Sequence, residues 1–216
     1  MGNQSIDSKL LFAQNAINNS IYNAEINPLV AKFGYYEAKM QLGKGLYENA
    51  AELQNKHAKE YGEQYDATDA LKMSKALANK TYMKHVKLAR IGLKGDRGAA
   101  ESLQLSGDRK TSISGWLKQA NVFYANAPES PKVLEALAEY GITKQKLKAA
   151  AKLVEDVQAK YNIQLKEKGE AQTATQLRDE ALDKLQDWIG EFIAVAHIAL
   201  EDHPQYLEIL GIVEPS

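Results

Sequence analysis

Lys59-Glu60-Tyr61-Gly62-Glu63 and Lys166-Glu167-Lys168-Gly169-Glu170 lie 107 residues apart and agree at four of five positions. Shifting the chain by that interval sets residues 31–105 beside 138–212 without a gap. Further identities cluster there: Ala67-Thr68 with Ala174-Thr175, and Ala89-x-Ile91-x-Leu93 with Ala196-x-Ile198-x-Leu200. Self-similarity at a fixed interval is the mark of a repeated structural unit. Upstream, a four-residue gap places Asn27-Pro28 beside Ser130-Pro131. The sequence therefore predicts two tandem, diverged helical repeats, residues 1–107 and 108–216, packed as one compact domain.

Each repeat reads as the same succession of helices. A first helix covers residues 5–22 or 112–125, and a short helical turn follows, ended by Gly34 or Gly141. Glycine suits the left-handed position that closes a helix. A long helix B then carries Tyr36, Met40, Gly43, Tyr47, Ala50, Leu53, His57 and Tyr61 in the first repeat. Its counterpart carries Leu147, Ala150, Val154, Val157, Tyr161 and Leu165. Intervals of three and four put one face toward a core, and Thr143 reads as the N-cap of the second of these helices.

Gly62 and Gly169 then read as turns. Behind the second, Thr173-x-x-Gln176 has capping-box form, with Asp66-x-x-Asp69 as a weaker counterpart. The competing reading is a single helix of about 60 residues through each glycine, a length rare in globular domains. Helix C is marked by Leu71, Ala78, Tyr82, His85, Leu88, Ala89 and Gly92, and in the second repeat by Leu177, Ala181, Leu185, Trp188, Phe192, Val195 and Ala199. A short helix ends each repeat, the second opening at Pro204. No stretch alternates with period two. The expectation is an all-α, up-and-down helical bundle with B antiparallel to C, and Trp188 to Leu200 at its buried centre.

Composition narrows the function classes. The chain has 27 basic and 28 acidic residues, a net charge of −1, and these read as well mixed, which argues against a nucleic-acid binder. There is no cysteine, so disulfides, thiol nucleophiles, iron–sulfur clusters and thiolate zinc sites are excluded. Met1 to Leu10 holds no apolar signal core, and Ile6 stands where an acylation signal needs serine or threonine. The longest apolar run, Trp188 to Leu200, is about 13 residues, too short to span a membrane. A cytoplasmic protein without nucleic-acid or membrane partners is the expectation.

The motifs for chemistry fail one by one. Di-iron bundles need glutamate three residues before histidine, but Gln54, Tyr82, Ala194 and Leu200 precede His57, His85, His197 and His203. No two histidines lie four apart, as a metalloprotease helix needs. Glu201-Asp202-His203 fans around a helix and cannot converge on one ion. Gly43-Lys44-Gly45 and Gly92-Leu93-Lys94-Gly95 lack P-loop spacing, and no Gly-x-Ser-x-Gly occurs. His85 falls on the apolar face opposite Phe192 of the other repeat, so it reads as a packed core residue that phenylalanine could replace.

One polar pattern remains. Glu48, Asn55 and Lys59 recur as Glu155, Asn162 and Lys166 on one stripe of helix B. This reads as a surface ion-pair face, an interhelical hydrogen bond shared by both repeats, or a binding stripe. The reading that results is a non-enzymatic helical interaction or scaffold protein with a protein partner or a second copy, and with no catalytic residues, cofactor or metal. The alternative is small-ligand or metal binding in a cleft between the long helices.

Overall fold

A computed structural model describes residues 5–212. Pro215 and the first four residues of the signal and acylation readings lie outside this range. Eight α-helices follow one another: α1 Ile6–Tyr22, α2 Ile26–Lys32, α3 Glu37–Gly92, α4 Arg97–Ser102, α5 Ile113–Asn126, α6 Pro131–Ala138, α7 Lys144–Ala199 and α8 Gln205–Ile209. A 3₁₀ turn, Ala127–Glu129, joins α5 to α6. The described residues contain no strand, and the chain is all-α with long helices packing together.

Local chemistry explains most of the boundaries. Ser5, Ser112 and Ser130 each accept the N–H three residues on, satisfying a free donor of the first turn of α1, α5 and α6. Thr143 Oγ1 accepts the Lys146 N–H at 3.3 Å and caps α7 as expected. Gly34 and Gly141 take φ of 90° and 71°. The Tyr35 N–H then reaches back to Val30 O and the Ile142 N–H to Leu137 O, the bond that a left-handed closing glycine makes possible.

The turns expected at Gly62 and Gly169 do not form. Both glycines lie inside unbroken 56-residue helices, α3 and α7. Thr173-x-x-Gln176 and Asp66-x-x-Asp69 are helix-interior segments rather than caps. A glycine inside a helix costs only about 1 kcal/mol relative to alanine, and breaking the helix would free several backbone donors and acceptors at once. Lysine, glutamate and alanine around each glycine favour the helix.

The chain divides into two compact units. Unit 1 comprises residues 1–61 and 170–216, and unit 2 residues 62–169. In unit 1, Ala16 and Ile17 of α1, Val30 of α2, Met40 and Ala50 of α3, and Leu185, Phe192 and Ala196 of α7 build one core. Contacts run Lys39 to Glu191, Gly43 to Trp188 and His57 to Arg178. Numbers rise on α3 as they fall on α7, so the two stretches are antiparallel. The antiparallel partner of each B segment is thus supplied by the other long helix, not by a hairpin within one sequence half. Trp188 lies over Gly43, where any added Cβ would sit 2.4 Å from the indole. Trp188, Phe192 and Tyr35 form an aromatic cluster with centroids 4.9–5.7 Å apart.

In unit 2, Ala78, Tyr82, Val86 and Ala89 of α3 pack with Trp116, Phe123 and Tyr124 of α5, Leu137 of α6, and Leu147, Val154 and Val157 of α7. Tyr82 centres this core, edge-on to Trp116 and Phe123 at 6.1 and 5.8 Å. Its hydroxyl accepts from Arg109 at 3.0 Å.

Gly62 and Gly169 have helical backbone and open space where a Cβ would stand. Gly62→Ala and Gly169→Ala should each stabilise the fold by about 0.5–1 kcal/mol, read as a raised urea midpoint. A loss of stability in either variant would place that glycine in a turn.

Candidate interaction surface

The polar stripe is the first surface to place. Glu48, Asn55 and Lys59 lie on α3 in unit 1, and Glu155, Asn162 and Lys166 on α7 in unit 2, all six exposed. Glu48, Asn162 and Lys166 each have a partner along their own helix. Lys44 lies 3.9 Å from Glu48, Gln158 donates to Asn162 at 3.1 Å, and Lys166 lies 3.2 Å from Glu167. Exposed pairs of this kind contribute about 0–1 kcal/mol.

His85 and His57 belong to the packing. His85 is buried in the unit 2 core and its Nδ1 shares a 3.1 Å hydrogen bond with the Tyr124 hydroxyl. Burial lowers its pKa, with the Lys84 and Lys146 charges acting the same way. Burial also raises the Tyr124 pKa. His57 Nε2 accepts from Arg178 at 2.9 Å, and burial followed by the Arg178 charge lowers its pKa. His203 stacks beside Tyr206 at 5.3 Å.

An open depression of about 290 Å³ in unit 2 is lined by Arg90, Lys94, Asp96, Arg97 and Leu105 among others. Its central cation is already committed: Arg90 donates to the carbonyls of Leu105 and Gly107 at 2.8 and 3.1 Å. Asp96 caps α4 through the Ala99 N–H and pairs with Lys132 at 2.6 Å. These bonds hold the loop.

Charge and apolar exposure single out a different surface. Between Ala70 and Gly95 there are seven cations and no carboxylate: Lys72, Lys75, Lys80, Lys84, Lys87, Arg90 and Lys94. The charges are therefore not well mixed. Unit 2 holds nineteen basic and twelve acidic residues, +7, and unit 1 holds eight and sixteen, −8. The net −1 of the chain hides both, and the argument from it against a nucleic-acid partner does not apply to unit 2 taken alone.

The basic residues occupy one face. Met73, Leu77, Lys80, Lys84, Lys87 and Ile91 follow one another at intervals of four and three, which makes one stripe on a helix. All six are exposed, while Ala78, Tyr82, Val86 and Ala89 on the opposite side are buried. Met73, Leu77 and Ile91 are 73%, 58% and 59% exposed. Lys80, Lys84 and Lys87 have no carboxylate partner among the described residues. In unit 1 the outer face of α7 shows Glu180, Asp183, Asp187 and Glu191, again exposed and opposite the buried Leu185, Phe192 and Ala196.

No protein-family model matches the chain, and comparison with curated proteins and with solved structures finds no significant similarity. Among the described residues no helix is long and apolar enough to cross a membrane.

The sequence reading expected His85→Phe to be tolerated, but the structure gives the imidazole a buried polar partner. His85→Phe should cost about 1–3 kcal/mol by leaving the Tyr124 hydroxyl unpaired. Adding Tyr124→Phe should recover most of that loss in a double-mutant cycle. The lowered pKa also fixes a pH dependence. The unfolded imidazole binds a proton more readily than the folded one, so stability is full above the ordinary value of 6.5 and falls as the pH drops below it. Urea unfolding from pH 8 to pH 5 should show this slope in the native chain and a shallower one in the double variant. An unchanged slope would contradict the assignment.

Proposed function

We propose that the chain is a non-enzymatic helical interaction protein built by tandem duplication of one helical unit, residues 1–107 and 108–216. The duplication is supported by how many features recur at 107 residues. The limits of α3 and α7 do, as do the caps Ser5 and Ser112 and the positive φ at Gly34 and Gly141. Gln104, with φ of 50°, stands 107 residues before Gly211, with φ of 80°. Buried positions recur likewise: Ala13 and Ala120, Ile17 and Tyr124, Val30 and Leu137, Met40 and Leu147, His85 and Phe192, Leu103 and Leu210. This correspondence reaches the first helix without the four-residue gap of the sequence alignment.

Charge segregation carries the interaction reading. Separating +7 from −8 within one chain leaves each unit with unbalanced self-repulsion, which an oppositely charged partner surface relieves. Exposed methionine, leucine and isoleucine on the basic face add apolar area of the kind that interface centres use. Long helices offer such a face without a cleft, and a binding role requires none.

The reading is tested by placing a photo-crosslinking residue at Met73, and separately at Asn55 on the polar stripe, in the cells that produce the chain. A discrete covalent adduct from position 73 is expected. An adduct only from position 55 would move the site to the polar stripe, and no adduct from either would remove the interaction reading.

A further inference from the structure

We infer that the basic outer face of α3, from Met73 to Ile91, docks the acidic outer face of α7, from Glu180 to Glu191, of a second copy of this chain. The inference rests on the interaction reading above and names its partner.

Three observations point to a second copy. The first is that the two faces occupy corresponding positions. At the 107-residue interval Lys72 corresponds to Asp179, Lys80 to Asp187, Lys84 to Glu191 and Lys94 to Glu201. The same side of the corresponding helix stretch thus carries opposite signs in the two units. Two such faces of like sign would repel between copies, and of opposite sign they attract.

The second observation is that the charges are uncommitted. Lys80, Lys84 and Lys87 on one face, and Asp183 and Asp187 on the other, make no ion pair or side-chain hydrogen bond among the described residues. Glu180 accepts only from Gln176 on its own helix, and Glu191 alone is paired across, with Lys39 at 2.7 Å. Like charges three and four apart on a helix repel, and a facing row of opposite charge removes that penalty.

The third is apolar matching. Ile91 and Ile198 occur at corresponding positions and are 59% and 56% exposed. The basic stripe begins at Met73 and Leu77, so both faces join charged rows to exposed aliphatic side chains. Helices dock with axes about 8–10 Å apart, within which lysine and carboxylate side chains meet and exclude water around these residues.

Sedimentation velocity of the full chain tests this, comparing wild type with two triple variants. One carries Lys80→Glu, Lys84→Glu and Lys87→Glu; the other carries Glu180→Lys, Asp183→Lys and Asp187→Lys. These positions are exposed, and circular dichroism checks that the variants fold. Wild type should self-associate at about 50 mM salt and associate at least about tenfold more weakly at 500 mM, because salt screens exposed charge. Each variant alone presents two faces of one sign and should remain monomeric. The two mixed together should associate, because each then finds its opposite. A monomeric wild type at low salt, a variant that associates as wild type does, or a mixture that stays monomeric overturns the inference. A monomer whose position 73 still forms an adduct with another molecule, whether protein or RNA, overturns the second-copy docking and leaves the interaction reading in place. Absence of both signals removes both.

Discussion

The backbone hydrogen bonds of α3 and α7 run without interruption past Gly62 and Gly169, and the rest of the structure depends on that continuity. The first part of α3 buries Met40, Gly43 and Ala50 in unit 1, and the second part buries Ala78, Tyr82, Val86 and Ala89 in unit 2. α7 does the same in the opposite order, with Leu147, Val154 and Val157 in unit 2 and Leu185, Phe192 and Ala196 in unit 1. Each core therefore draws on both long helices, and only the core of unit 1 joins the two ends of the sequence. A turn at either glycine would pair B with C inside one repeat and build different cores from the same residues.

Much of this was legible in the sequence because its causes are local. Gly34 and Gly141 close helices by their own conformational freedom, Thr143 caps by its own hydroxyl, and the intervals of three and four on B and C name most of the buried positions, while Tyr36, Leu165 and Leu177 of those stripes stand exposed. Gly62 and Gly169 were misread because their effect is not local. A cost of about 1 kcal/mol for glycine in a helix is too small to decide between turn and helix, and burial on either side decides it. The partner of His85 was equally hidden, since Tyr124 lies 39 residues away on α5 and nothing near His85 in sequence signals a hydroxyl.

The candidate surface was hidden for a related reason. Cut at residue 107, the sequence has halves of +3 and −4; divided as it folds, it has units of +7 and −8. The segregation exists only once α3 and α7 carry their second parts into the other unit. The run from Ala70 to Gly95, with seven cations and no carboxylate, was the one signal available in advance. Most of the corresponding buried positions are apolar, as packing requires, while on the outer face Lys72, Lys80, Lys84 and Lys94 correspond to Asp179, Asp187, Glu191 and Glu201, a reversal that packing does not require.

Continuity of the long helices is tested most directly by native-state hydrogen exchange of the amides at residues 60–66 and 167–173. In an unbroken helix each of these N–H groups is bonded to the carbonyl four residues before it, and exchange is slowed along the whole segment. The structure predicts protection that passes through Gly62 and Gly169 without a gap. Amides at and just after either glycine that exchange at the rate of an unfolded chain, with protected helix on both sides, would contradict it.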